Sequence, residues 1–181
     1  MKFSSLLAGI ALPVAMAACA EAPGSVLDLD ELEHTKPTGS PFTQALSHEY
    51  AAFARAQAGQ QEWAAQQHFA KKGLEAAHGI AVPPEDLAAW NIGDKQAAED
   101  LAVSRSRLAG VLESHAPTRA PALTATAQVK FDCWLAELSE PRGDAGDACH
   151  KDFRAAMAAL EALGHSAAQP GPPAGGPSPR P

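Results

Sequence analysis

Phe131-Asp132-Cys133-Trp134-Leu135, then Pro141 and Gly143, then Ala148-Cys149-His150-Lys151-Asp152-Phe153, is the stretch that decides the fold. Phe131, Trp134, Leu135 and Leu138 recur at helical spacing over residues 121–139. Cys149, Phe153, Ala156, Leu160 and Leu163 form an i, i+4, i+7 stripe over 145–163. Pro141 and Gly143 break the chain between the two runs. Two helices joined by so short a turn pack antiparallel, and residues equidistant from the turn face each other. Cys133 and Cys149 are equidistant from Pro141. They are placed to form a structural disulfide, provided that their Cα atoms come within bridging range. A free buried thiol or a redox role is the other reading, although the spacing is not C-x-x-C.

Upstream, the same periodicity returns three times. Residues 42–57 carry Phe42, Leu46, Tyr50 and Phe53; residues 61–77 carry Trp63, Phe69, Ala70 and Leu74; residues 94–114 carry Ala97, Leu101, Leu108 and Leu112. Gly59 separates the first two runs, and Gly79 follows the second as a C′ residue. Pro83-Pro84 forces a turn before the third, and Pro117 and Pro121 bracket the start of the fourth. No strand pattern emerges. The fold class is therefore all-α: about five helices in antiparallel hairpins, a helical bundle stapled by the Cys133–Cys149 disulfide. Segment 46–79 could form one tetratricopeptide-type hairpin, with Ala65-x-x-x-Phe69 matching part of that repeat. No second copy follows at its period. Trp63, Trp90 and Trp134 are expected in the core. Trp90, in the loop-like stretch 85–93, is the one expected to pack across two helices.

Apolar residues make up 46% of the chain but aromatics only 6%, and alanine accounts for much of the difference. Alanine forms helix at little entropic cost yet fills little volume, so the core must be thin. The net charge is −7, one unit more negative without Lys2. An acidic chain without a basic stripe argues against nucleic acid and against direct adhesion to anionic headgroups.

The N-terminus has Lys2, an apolar run from Leu6 to Ala18, and Met16-Ala17-Ala18-Cys19. The run is too short to span a bilayer and has the form of an export signal. Its ending resembles the lipobox of bacterial lipoproteins, with Met16 where leucine is usual. The resemblance implies cleavage before Cys19, lipidation of Cys19 and acyl chains as the anchor. Ala15-Met16-Ala17 also fits ordinary signal peptidase, and a retained anchor is the third alternative. Lipidating Cys19 leaves Cys133 and Cys149 as an even pair, whereas cutting after Ala17 leaves an odd thiol in an oxidising compartment. Ala20 after the cysteine, where an aspartate would signal inner-membrane retention, points to the outer membrane. The expected organisation is a signal peptide over 1–18, the lipidated cysteine and a flexible tether over 19–40, the helical domain over 41–164, and a Pro/Gly-rich disordered tail over 165–181.

Several strings taken together resemble one family. They are Glu49-Tyr50 with Trp63; His68-Phe69-Ala70-Lys71-Lys72-Gly73-Leu74; Val82-Pro83-Pro84-Glu85 with Trp90; and Ser104-Arg105-Ser106-Arg107-Leu108. Ala127-Gln128-Val129-Lys130 running into Phe131-Asp132-Cys133-Trp134, and Ala148-Cys149-His150, complete the set. The set resembles the helical region ahead of the OmpA-like domain in some alphaproteobacterial outer-membrane proteins, over about residues 46–160. It implies an envelope location on the periplasmic face of the outer membrane, a helical fold and a pairing of the two cysteines. The OmpA-like domain that binds peptidoglycan has no counterpart in this sequence. Its activity therefore does not carry over, although peptidoglycan stays open as a partner.

Nothing in the sequence marks an enzyme. G-x-S-x-G, P-loop and G-x-G-x-x-G patterns are missing, and His34, His48, His68, His78, His115, His150 and His165 have no metal-ligand spacing. Cys149 and His150 point about 100° apart on a helix and make a poor chelate. Glu62, Glu75, Asp86, Glu99 and Asp100 read as solvated helix faces. No cofactor or metal is expected. The leading reading is a lipid-anchored, non-catalytic module that docks another envelope protein, which predicts an apolar or Trp-lined groove on the domain. The alternative is a soluble periplasmic helical binding protein. A role in envelope structure through the Pro-rich tail is a further one.

Overall fold

The computed structural model describes residues 24–140 and 144–168, with side chains over 28–140 and 144–164. Cys19, the signal segment, the turn at 141–143 and the tail beyond Ala168 lie outside the described residues. All regular structure among the described residues is helical: α1 Gly24–His34, α2 Pro41–Gly59, α3 Trp63–Ala77, α4 Lys95–Glu113, α5 Ala116–Arg119, α6 Pro121–Ser139 and α7 Ala145–Ala168. A 3-10 turn at Leu87–Ala89 precedes α4. The five expected helices are α2, α3, α4, α6 and α7; α1 and the one-turn α5 are additional.

Local chemistry sets the boundaries. Ser40 caps α2 by accepting from the Thr43 N–H at 3.1 Å, and Pro41 fits the first turn. Asp94 caps α4 through the Ala97 N–H at 3.0 Å. α3 ends in a Schellman motif: the Ile80 N–H donates to the Glu75 carbonyl and the Gly79 N–H to the Ala76 carbonyl, with Gly79 at φ +87°. Gly79 also abuts Gly39, and a Cβ on Gly39 would lie 2.6 Å from the Gly79 Cα. The Thr38 N–H donates to the Ala77 carbonyl there, tying the start of α2 to the end of α3.

α6 is the central element. It packs against α2 and α7, with α4 and α5 alongside. Phe131, Leu135, Ala125 and Ala127 are fully buried on it, so its apolar surface is continuous rather than one-faced. Tyr50, Phe69, Phe131, Phe153 and Leu108 fill the interior. Cys133 and Cys149 are bonded, with Cα atoms 5.9 Å apart, within the range a disulfide requires. It joins α6 to α7. His150, next to it, stacks on Trp134 with ring centroids 3.9 Å apart, a packing role rather than a ligand.

The flexible tether expected over 19–40 is corrected by α1. Leu32 is 4% exposed and seats on α3 at Gly73, where a Cβ would come within 2.5 Å of Leu32 Cδ2. Glycine at 73 therefore admits α1 to the bundle. Arg55 of α2 pairs with Glu33 at the surface. The tail expected from residue 165 is corrected by a few residues, since α7 runs to Ala168. Trp134 is in the core as expected, but Trp63 is 46% exposed. Trp90 packs its ring on Phe69 and His68 of α3, and it borders a pocket also lined by Ala136 and Ser139 of α6.

Candidate binding groove

Between α3 and α4 the chain runs from Ile80 to Asp86 without regular secondary structure. Pro83-Pro84 makes this strap stiff and extended, and removes two backbone donors. An irregular segment against a core needs its polar groups satisfied by side chains. Here those side chains come from three helices, and two of them, Gln128 and Asp132, are buried.

Asp132 of α6 is fully buried and accepts the Glu85 backbone N–H on Oδ1 at 2.8 Å. Its Oδ2 accepts Tyr50 Oη at 2.6 Å and Lys72 Nζ at 2.8 Å. Lys72 Nζ also donates to Glu85 Oε1 at 2.6 Å and lies over the Tyr50 ring, 5.1 Å from its centroid. His68 Nε2 reaches Glu85 Oε1 at 2.8 Å, and Trp90 Nε1 donates to Glu85 Oε2 at 2.9 Å. Arg105 Nε of α4 donates to the Glu85 carbonyl at 2.7 Å. Gln128 Nε2 of α6 donates to the Val82 carbonyl at 2.8 Å and to Tyr50 Oη at 3.1 Å. The strap is thus fastened at both ends, Val82 and Glu85.

The charges are matched. Burial pushes the Glu85 carboxyl up, but the hydrogen bond from His68, the Lys72 ammonium and the Trp90 N–H outweigh it, and its pKa falls to about 2. Burial also pushes Asp132 up, against the pull of Lys72, Tyr50 and the Glu85 N–H. Three donors and no acceptor face that carboxylate, so the ionised form fits the site. Burial first, and then Asp132, hold the Tyr50 hydroxyl well above its ordinary pKa, so it stays a neutral donor.

The outer side of the strap is one wall of a groove of about 680 Å³. Phe42 and the start of α2, Leu112 of α4 and Pro117 of α5 complete its lining. That volume lies within the range of ligand pockets, and the lining is mostly apolar. Five polar residues break it: the hydroxyls Ser40 and Thr118, and Arg105, Glu113 and Gln128. Gln128 Oε1 is buried and without a hydrogen-bond partner. The amide cannot be turned to satisfy it, because Oε1 would then face the Val82 carbonyl.

The sequence reading placed Cys133 and Cys149 correctly, but neither borders this groove. It missed Tyr50, Lys72, Glu85, Arg105, Gln128 and Asp132 as a group. One signal was available: Asp132 is an ionisable residue inside an otherwise apolar helical run, where charge is buried only with partners. Asp86, Glu99 and Asp100 are exposed, as expected, whereas Glu62 and Glu75 are half-buried. Among the described residues no three His, Cys, Asp or Glu side chains group to hold a metal ion. None of the described helices is long and apolar enough to cross a membrane. Comparison of the chain with protein-family models, curated proteins and solved structures finds no match.

Proposed function

We propose that this chain is an outer-membrane lipoprotein, anchored through Cys19, whose periplasmic helical domain is a non-catalytic docking module. The observation that carries the docking role is the apolar groove whose wall is an irregular strap fixed by buried charge. Buried ion pairs seldom add net stability over apolar packing. Placing two of them, both through Lys72, behind a loop is the pattern of a preorganised recognition surface. The lipobox-like Met16-Ala17-Ala18-Cys19 and the resemblance to the helical region of OmpA-family proteins support the location.

The placement of α1 bears on how such an anchor works. Four residues, hence five Cα-to-Cα steps, separate Cys19 from Gly24, the first residue of α1. Fully extended, they reach roughly 17 Å. A lipid on Cys19 therefore holds the domain close to the membrane surface, so its partner must be membrane-proximal.

Two measurements test the proposal. The intact mass of the membrane-extracted protein should show the acyl chains of a mature lipoprotein; a mass matching the unmodified chain cut after Ala17 contradicts the anchor. A photo-cross-linking residue at Pro83 should capture a defined envelope partner that the same residue at exposed Val103 does not. Equal capture from both positions contradicts the groove as the docking face.

A further inference from the structure

The docking reading leaves open what the groove holds; its own polar groups narrow that. Arg105 and Glu113 lie two turns apart on α4, about 12 Å along the axis. Arg105 uses Nε on the Glu85 carbonyl, and its remaining guanidinium N–H groups have no protein acceptor among the described residues. Glu113 is exposed and likewise has no partner among them. The groove thus carries a free cation near one end and a free anion near the other, over an apolar floor.

The strap supplies a third feature. The Ala81 N–H and the carbonyls of Ala81, Pro83 and Pro84 make no hydrogen bond among the described residues, and Ala81 and Pro83 are exposed. An extended edge with unpaired backbone groups is the surface on which a peptide adds as a further strand. Gln128 Oε1, at the groove floor, is a fourth: a buried acceptor that needs an N–H or O–H donor.

We infer that the groove binds a short extended peptide of three or four residues with small apolar side chains, its terminal carboxylate on Arg105 and its cationic amino end towards Glu113. At about 3.3 Å per residue, three to four residues span the 12 Å between the two charges. Planar, forked N–H groups suit a carboxylate, and the peptide N–H groups supply donors for Gln128 and the strap carbonyls. A fatty acid has the carboxylate but neither the amide donors nor a cation for Glu113. The inference rests on the groove being the recognition surface and adds the chemistry of its occupant.

The test is a nuclear magnetic resonance titration of the isotope-labelled chain, lacking residues 1–18 and with Cys19 replaced by serine, using Ala-Val-Ala in two forms: free, and acetylated and amidated. Short ligands bind weakly, so additions run to about 5 mM. The free peptide should shift the amides of Ala81, Ala109 and Leu112, and blocking both termini should weaken binding at least tenfold. Glu113→Gln, which removes no contact of the folded chain, should weaken the free form severalfold, with an unchanged thermal midpoint showing that the fold is intact. Equal binding of both forms overturns the charge anchors while leaving the groove as a binding surface. Shifts of the free form elsewhere, or none at 5 mM, overturn the peptide assignment. Cross-linking from Pro83 reports on the docking role separately, because it captures partners of any chemistry.

Discussion

The α6–α7 hairpin and the strap over α6 are fastened to the same helix by opposite means. The hairpin is closed by one covalent bond between residues 16 apart in sequence, with Cys133 six residues before the end of α6. The strap is closed by hydrogen bonds and ion pairs, with partners 47 and 60 residues from Asp132. The first device is local and acts largely by limiting the unfolded chain. The second exists only when α2, α3, α4 and α6 are all assembled, so it reports on the whole fold. One makes the domain stable; the other gives it a fixed surface.

Four changes separate the two. The largest effect is expected at the strap. Asp132→Ala leaves Lys72 buried beside Glu85 alone and leaves the Glu85 N–H unpaired, at a cost of about 3–5 kcal/mol. Denaturant unfolding reads it, and a loss below 1 kcal/mol would mean the network contributes little. Replacing Cys133 and Cys149 together with serine should cost about 3 kcal/mol in the chain-entropy picture. Unlike Asp132→Ala, it should leave the indole N–H resonance of Trp90 unchanged in the folded state; a shifted Trp90 resonance would couple the two regions.

Acid should act on the strap and spare the disulfide. The Glu85 pKa is lowered from 4.5 to about 2, so its stabilisation is complete above pH 4.5 and is lost as pH falls through about 2. On the order of 2–3 kcal/mol should disappear over that window. Glu85→Gln should flatten the decline, and an unchanged slope in that variant would place the acid sensitivity elsewhere. The smallest effect is expected at the surface. Arg55→Ala breaks an exposed pair with Glu33 and should cost about 0.2–1 kcal/mol. A larger loss would mean that α1 depends on charge rather than on the seating of Leu32 against Gly73.

The same contrast explains what the sequence made legible. Helical periodicity and punctuation by Gly59, Gly79, Pro121 and Pro141 located the five long helices. The cysteine pairing followed from symmetry about Pro141, because a hairpin is a local object. α1 escaped because Pro23, Gly24, Pro37 and Gly39 mask a short run whose decisive contact, Leu32 on Gly73, is tertiary. The charge cluster escaped for the same reason. Lys72 and Glu85 have the composition of solvated helix and loop residues, and nothing near them in sequence names Asp132 as a partner. Trp63 shows the converse limit: a large apolar residue on a helical stripe that ends half in water.

The central claim is that the buried charge cluster holds the strap rigid in the free protein. Hydrogen exchange of the Glu85 amide tests it most directly, since that N–H is given to Asp132 alone. The account predicts protection approaching that of the α6 interior, kept when Cys133 and Cys149 are replaced and lost in Asp132→Asn. Exchange of the Glu85 amide at the rate of an open loop in the unaltered protein would contradict it.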